Sequence, residues 1–283
     1  MGVEFYKPQK LEDVLDVLAT KKGPLKILAG GTDLMLDIRN KKYEVAGIVD
    51  INLLSELKNI SVEGEFIKIG SLVTFTQLAN STLLQERVPF LVEAANSVGA
   101  PQIRNQGTIG GNIANASPAA DSVVPLIALD AICSVLSPLG NRDIPLNQLL
   151  CGVGKTRLAS DELIVEVKFK LPRKITRSAF VKFGRRNALA IARMSVAILL
   201  GLDGNKVNAA RVALGAVAPN PFRSLELENM FLNKAMEEID VDEVIARSSM
   251  VVSQALGNRP SAKWKNEAIK GLMRQVLSKI GIM

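Results

Sequence analysis

Residues 99–121, GAPQIRNQGTIGGNIANASPAAD, constrain this chain more than any other stretch. They hold four glycines and three asparagines, and carry only the charges of Arg104 and Asp121. Neither the helical nor the strand apolar period is evident in them. A long stretch of small, uncharged residues inside a compact domain is more often functional than a spacer. The segment is therefore expected to be an irregular loop that regular elements on either side must support.

Those elements are legible from periodicity. In 11–22, LEDVLDVLATKK, Leu11, Val14, Leu15 and Leu18 share a helical face, and Gly23 marks its end. Leu25–Ala29 reads as a strand, Gly30-Gly31-Thr32-Asp33 as a turn, Leu34–Arg39 as a short helix and Ala46–Ile51 as a second strand. Ile60–Val62 and Phe66–Ile69 around Glu63-Gly64-Glu65 predict a hairpin. Leu78–Arg87, Phe90–Val98 and Val123–Ala128 predict helices, and Ala131–Leu136 and Glu162–Leu171 strands. Beyond a linker at 172–174, three strands (179–183, 194–202, 207–214) precede helices at 225–233, 241–255 and 262–280. That block reads as a separate α+β unit.

The side-chain inventory excludes much chemistry. The 283 residues include no histidine, which removes His-dependent triads, His metal ligands and His general bases. Cys133 and Cys151 are too few for an iron–sulfur cluster or a Cys-rich zinc site, and are expected to be reduced, buried thiols. Any redox or group-transfer chemistry must then come from a bound cofactor. The net charge of +7 suits an acidic partner or nucleotide phosphates, but no stretch interleaves dense Lys/Arg with aromatics, so no nucleic-acid partner is expected. No apolar run approaches the ~20 residues of a membrane-spanning helix. MGVEFYKPQKLEDV has no signal-like core, so a cytoplasmic protein is expected.

Both glycine-rich segments are candidate ligand loops, because glycine lets a ligand approach main-chain amides that together suit a phosphate or pyrophosphate. Asp33 is placed to cap the following helix, and Thr32 adds a hydroxyl. Taken alone, GGTD is a common structural turn. In the second segment Thr108, Asn112 and Asp121 add polar groups, Asp121 either accepting from ribose or ribityl hydroxyls or capping the next helix. Neither segment is a Walker loop or a GxGxxG fingerprint.

Together, Ala29-Gly30-Gly31-Thr32-Asp33-Leu34 and the run Thr108-Ile109-Gly110-Gly111-Asn112 through Asp121 resemble the two FAD-binding motifs of the flavoprotein (medium) subunits of molybdenum hydroxylases, the xanthine dehydrogenase and carbon monoxide dehydrogenase type. The likeness spans essentially the whole chain in order and spacing. It implies an α+β fold: an FAD-binding domain of two subdomains (1–57 and 58–173) with the flavin in the cleft between them. A small C-terminal α+β domain (177–283), a three-stranded antiparallel sheet plus helices, would follow.

Carried over by position, Lys26, Ile27, Leu28, Ala29, Gly30, Gly31, Thr32, Asp33 and Leu34 would wrap the pyrophosphate. Val98, Gly99, Thr108, Gly110, Gly111, Asn112, Asn115 and Asp121 would line the rest of the dinucleotide. Leu163 and Ile164 match positions near the adenine or isoalloxazine, with plain strand core as the other reading, and Lys182 matches a lysine near the ring system, with a surface lysine as the alternative. Gly110 and Gly111 would bring the flavin edge near a partner cluster. FAD is thus the implied cofactor, with molybdopterin on a large partner subunit, [2Fe–2S] clusters on a small one, and NAD+ or another species as electron acceptor. Relatives often carry a carboxylate where this chain has Ala190, and two cysteines cannot build the extra cluster of the 4-hydroxybenzoyl-CoA reductase branch. A stand-alone FAD oxidoreductase and a non-catalytic nucleotide-binding module remain as alternatives.

Overall fold

A computed structural model describes residues 3–172, 176–186 and 189–283. Arg173 and Lys174 of the expected linker, and Asn187 and Ala188, lie outside the described residues.

The N-terminal unit is a parallel sheet of β1 (Glu4–Tyr6), β2 (Leu25–Leu28) and β3 (Gly47–Asp50), with β3 central. Helix α1 (Leu11–Thr20) buries Val14 and Leu18, four residues apart, against it, and α2 (Leu34–Arg39) joins β2 to β3. The unit cannot close its own core. Leu72 and Leu163 of the next unit complete a cluster with Val14, Leu18, Val49, Ile51, Leu54 and Leu57.

The second unit is an antiparallel sheet in the order β4 (Ile60–Glu63), β5 (Phe66–Gly70), β10 (Leu163–Lys170), β6 (Ile132–Ser137), β7 (Gly140–Pro145). Between β5 and β6 run helices α3 (Phe75–Asn80), α4 (Thr82–Arg87), α5 (Pro89–Ser97), α6 (Pro101–Gln106), α7 (Ile109–Asn115) and α8 (Val123–Ala128). Thr74 and Gln77 form a reciprocal capping box that starts α3, and Ser81 caps α4, which splits the single helix expected over 78–87. A bulge in β10 between Ile164 and Glu166 accompanies a split of neighbouring side chains. Leu163 enters the N-terminal cluster, whereas Ile164 enters the core of the second unit. Short α9 (Leu146–Leu149) leads to a small hairpin, β8 (Leu150–Gly152) and β9 (Lys155–Thr156). Cys133 is buried, and desolvation pushes its thiol up to about 12; Cys151 is exposed, contrary to expectation, because on β8 it follows buried Leu150 and points to the opposite face.

In the C-terminal unit β11 (Thr176–Phe183), β12 (Met194–Asp203) and β13 (Lys206–Gly215) form the expected antiparallel sheet, and the two-residue β14 (Phe222–Arg223) extends its edge. Its two faces differ. Val196, Ile198 and Leu200 of β12 pack in a core with α11 (Val241–Leu256) and α12 (Ala262–Lys279), while Ala197 and Ala213 face the core of the second unit. Small residues on that second face let the sheet approach α8 closely. Helix α10 (Leu225–Asn229) covers β13, with Ser224 capping it. No helix among the described residues is long and apolar enough to cross a membrane.

Candidate functional site

Residues 101–115, expected to be irregular, form helices α6 and α7. The helical period is present in α7, but it is written in small residues. Ile109 and Ile113 are fully buried, while Thr108, Gly111, Asn112 and Asn115, at spacings of three, four and seven, line a cleft. Two glycines in one seven-residue helix hide that pattern from an apolar-period search.

The opposite wall of this cleft comes from the N-terminal unit: Lys26, Ile27, Ala29, Gly30, Gly31, Thr32, Asp33 and Leu34. The cleft, about 320 Å³, is thus shared by the two glycine-rich segments. Contact between them is intimate, since a Cβ added at Gly30 would run into the Gln106 carbonyl. At Gly111 a Cβ would point across the gap, 4.0 Å from the Ala29 methyl.

The segments use their main chains differently. In α7 the amides of Ile109, Gly110, Gly111 and Asn112 donate to Val73 O, Ser71 O, Thr108 Oγ1 and Thr108 O at 2.9–3.2 Å. The amide cradle expected there is therefore already consumed by the fold. Among the described residues the amides of Gly30, Gly31, Thr32 and Asp33 donate to no protein group, and Gly31 takes φ +69°, a conformation suited to glycine. Nor is Asp33 the cap it was expected to be: its side chain makes no cap bond and sits 3.4 Å from the Thr32 hydroxyl. These free donors give the cleft a surface for an anion.

A second cluster lies at the junction with the C-terminal unit. Lys182 on β11 donates to Asp121 Oδ2 at 2.6 Å and to the Ser97 carbonyl at 2.7 Å. The Lys182 side chain is only 11% exposed, which removes the surface-lysine reading. Asp121 is not the cap of α8, for Ser122 holds the N-cap position without a side-chain bond. Instead Asp121 is 7% exposed, and its Oδ1 has no partner. Desolvation, opposed by Lys182, pushes its carboxyl up to about 6. Val98 and Gly99 border this cluster; the carbonyls of both accept from Arg104, and Gly99 has φ +43°. Ser122 joins it to the cleft by donating to Asn112 Oδ1 at 2.8 Å.

Several expected residues lie elsewhere. Leu28 lies in β2 beside the cleft without lining it, and Leu163 and Ile164 occupy the two hydrophobic cores rather than the cleft surface. Gly110 is buried with its Cα against Ser71, where a Cβ would sit 2.5 Å from the serine Cβ, so it presents nothing at an outer edge. Sequence reasoning missed the third wall, formed by Leu158, Ala159, Ser160 and Glu162. Glu162 anchors that loop by accepting from the Ala159 amide and pairing with Arg142 at 2.6 Å. Nothing local in the sequence signals these residues, because the β8–β9 hairpin brings them to the site.

Residues 1–173 match the family model described as the FAD binding domain in molybdopterin dehydrogenase, and residues 178–280 that of the CO dehydrogenase flavoprotein C-terminal domain. The chain belongs to this family of flavoprotein subunits. FAD is accordingly its cofactor, and the chain is an oxidoreductase component. It is 34% identical to the xanthine dehydrogenase FAD-binding subunit of Escherichia coli O157:H7, over 97% of this chain and 94% of that one. It is 33% identical to the nicotinate dehydrogenase FAD-subunit of Eubacterium barkeri, over 96% and 94% of the two chains. Among solved structures, a carbon monoxide dehydrogenase from Hydrogenophaga pseudoflava that lacks the Mo-pyranopterin moiety superposes with a TM-score of 0.90 at 28% identity, covering 99% of this chain and 97% of that one. In the terms of the family, the cleft and the Asp121–Lys182 cluster fit a dinucleotide: free amides for its phosphates, and an unpartnered buried carboxylate oxygen for a hydroxyl or ring donor.

Proposed function

We propose that this chain is the FAD-carrying electron-transfer subunit of a xanthine dehydrogenase-like molybdenum hydroxylase in the cytoplasm. It would work with a large molybdopterin subunit, where substrate is oxidised, and a small [2Fe–2S] subunit that delivers the electrons. FAD held in this cleft would supply the redox chemistry that links the clusters to NAD+ or another acceptor. The proposed units are 1–57, 58–173 and 177–283, with the cofactor between the first two and reaching the third.

Each part of the protein has a definite task in this reading. The free amides of Gly30 to Asp33, with Lys26 and Leu34 at the ends of the segment, hold the pyrophosphate. Thr108, Gly111, Asn112 and Asn115 present the facing wall. Leu163 and Ile164 back that wall from within the cores. Val98, Gly99, Asp121 and Lys182 form the flavin end, where the buried Lys182 ammonium favours negative charge on a neighbouring ring. Asp121 Oδ1 accepts from a cofactor donor or holds a proton.

The observation that carries the proposal is the convergence of Gly30 and Gly111 on one cleft whose unbonded amides belong to the first segment. Fluorescence titration of the purified chain with FAD tests it: one FAD binds per chain, and Gly111→Trp, which fills the gap toward Ala29, abolishes binding. A colourless chain that ignores added FAD refutes the assignment. Copurification from the native host with molybdenum, iron and flavin analysis tests the assembly.

A further inference from the structure

Two segments beside Lys182 carry positive charge with no carboxylate to balance it. Segments 183–193 and 257–265 contain Arg185, Arg186, Arg193, Arg259, Lys263 and Lys265 and no carboxylate, against a net charge of +7 for the whole chain. Among the described residues none of these six forms a salt bridge.

The fold brings the two segments together. The Phe183 and Trp264 rings lie 6.0 Å apart, and the Lys265 ammonium sits 5.5 Å from the Trp264 ring. Burial, and then the fields of Arg259 and Arg193, push the Lys265 pKa down, so these cations face one another unneutralised. At the end of β11, Arg193 N donates to Phe183 O at 2.8 Å, and Gly184 packs on Ala190. Leu189 and Ile191 are exposed to solvent, Ile191 at 79%.

The patch adjoins the Asp121–Lys182 cluster by two routes. Phe183 follows Lys182 on β11. Lys265 donates to the Ala216 carbonyl at 2.5 Å, while the Ala216 amide donates to Pro118 in the turn before Asp121.

We infer that this surface docks an acidic one-electron carrier protein, which takes electrons from the cofactor at the adjoining site. The inference rests on the flavin reading above and names the acceptor class it leaves open. Exposed Leu189 and Ile191 on the segment that carries Arg185, Arg186 and Arg193, with the half-exposed Phe183–Trp264 pair joining it to the second segment, have the make-up of a protein-binding surface. Six cations spread over two segments exceed what the two phosphates of a free nucleotide would neutralise. The Phe183 and Trp264 rings are tilted 44° to one another and so form no parallel row for stacked bases, which disfavours single-stranded nucleic acid. For each FADH− returned to FAD, two carriers gain one electron each and one proton passes to solvent.

The test uses the full chain loaded with FAD, and its assembled complex, with a plant-type [2Fe–2S] ferredoxin as probe. Biolayer interferometry is expected to show binding that weakens at least tenfold between about 0.05 and 0.5 M salt. Arg259→Glu with Lys263→Glu should weaken binding at low salt about tenfold or more, whereas Arg259→Lys retains it. Lys263→Glu is compatible with folding, since it places a carboxylate in the first turn of α12. The FAD titration of both variants should match the parent. Binding that ignores salt and charge reversal overturns the inference. So does a patch that binds an RNA oligonucleotide more tightly than ferredoxin, or one that loses the probe once the partner subunits assemble. Failure to bind FAD would instead strike the flavin reading, and the ferredoxin measurement would still report on the surface.

Discussion

The two glycine-rich segments have similar compositions and face each other across one cleft, yet they do opposite work. In the first, Gly30 lies so close to the Gln106 carbonyl that no Cβ fits, and the amides from Gly30 to Asp33 are left without protein partners. In the second, Gly110 fits under Ser71, and every amide from Ile109 to Asn112 is bonded within the protein. The first segment spends its glycines on exposing main chain, the second on packing a helix tightly enough to present side chains. Composition alone does not distinguish the two uses; only the destination of each N–H does.

Substitution of one glycine on each side would break this comparison if it is wrong. Gly30→Ala forces the first segment away from Gln106 and disturbs the free amides. FAD affinity should fall by about a hundredfold or more, roughly 3 kcal/mol, in a flavin-fluorescence titration, while the N-terminal unit stays folded by circular dichroism. Gly110→Ala should do the reverse. Its Cβ would meet buried Ser71, an overpacking cost of about 1–3 kcal/mol, read as a lower midpoint in urea, with FAD affinity of the remaining folded protein nearly unchanged. Equal losses of FAD affinity in the two variants would refute the division of labour.

The same contrast explains what could be read from the sequence. Helices α1, α11 and α12 were legible because their apolar residues recur on one face, and α8 because it is an unbroken apolar run, buried at every residue. The hairpins β4–β5 and β12–β13 were legible because Glu63-Gly64-Glu65 and Asp203-Gly204-Asn205 sit between apolar runs. Helix α6 buries none of its residues, so it leaves no apolar signature. Strand β7, Gly-Asn-Arg-Asp-Ile-Pro, is an edge strand whose first four residues are exposed, and β1 has only three residues. Thr74 and Gln77 did carry a local signal, the capping box that starts α3. Within the site, the motif residues were legible from their resemblance to a family. The wall at Leu158–Glu162 and the free or bonded state of each amide are tertiary facts, set by strands far away in sequence.

Asp121 sharpens the comparison, because it is the polar group that the second segment contributes in place of amides. With its carboxyl raised from 3.8 to about 6 in the fold, the folded, cofactor-free protein holds this proton more tightly than the unfolded chain does. This group's contribution to stability is complete below pH 4 and is lost as pH rises through 6. Cofactor-free protein should therefore gain stability between pH 7 and 5 relative to Asp121→Asn, by an amount on the order of 1–2 kcal/mol. A donor from FAD to Oδ1 favours the ionised form, so FAD affinity should rise with pH through about 6, and Asp121→Asn should flatten that rise and weaken binding about tenfold at pH 7. A parent and variant with parallel pH profiles would show that Oδ1 meets no cofactor donor.

The smallest effect belongs to Thr108, which faces the cleft but whose hydroxyl already accepts from the Gly111 amide at 3.2 Å. If the second segment acts by holding α7 in place, Thr108→Ala removes a helix cap. It should then cost about 1 kcal/mol of stability, seen as a modest drop in thermal midpoint. FAD affinity should change less than threefold, and Thr108→Ser should restore both. If Thr108 instead bonds the cofactor directly, the loss appears in FAD affinity, and the cofactor-free proteins melt together. The two outcomes separate cleanly because the hydroxyl has one proton to give and, in this fold, its oxygen is already committed to the helix behind it.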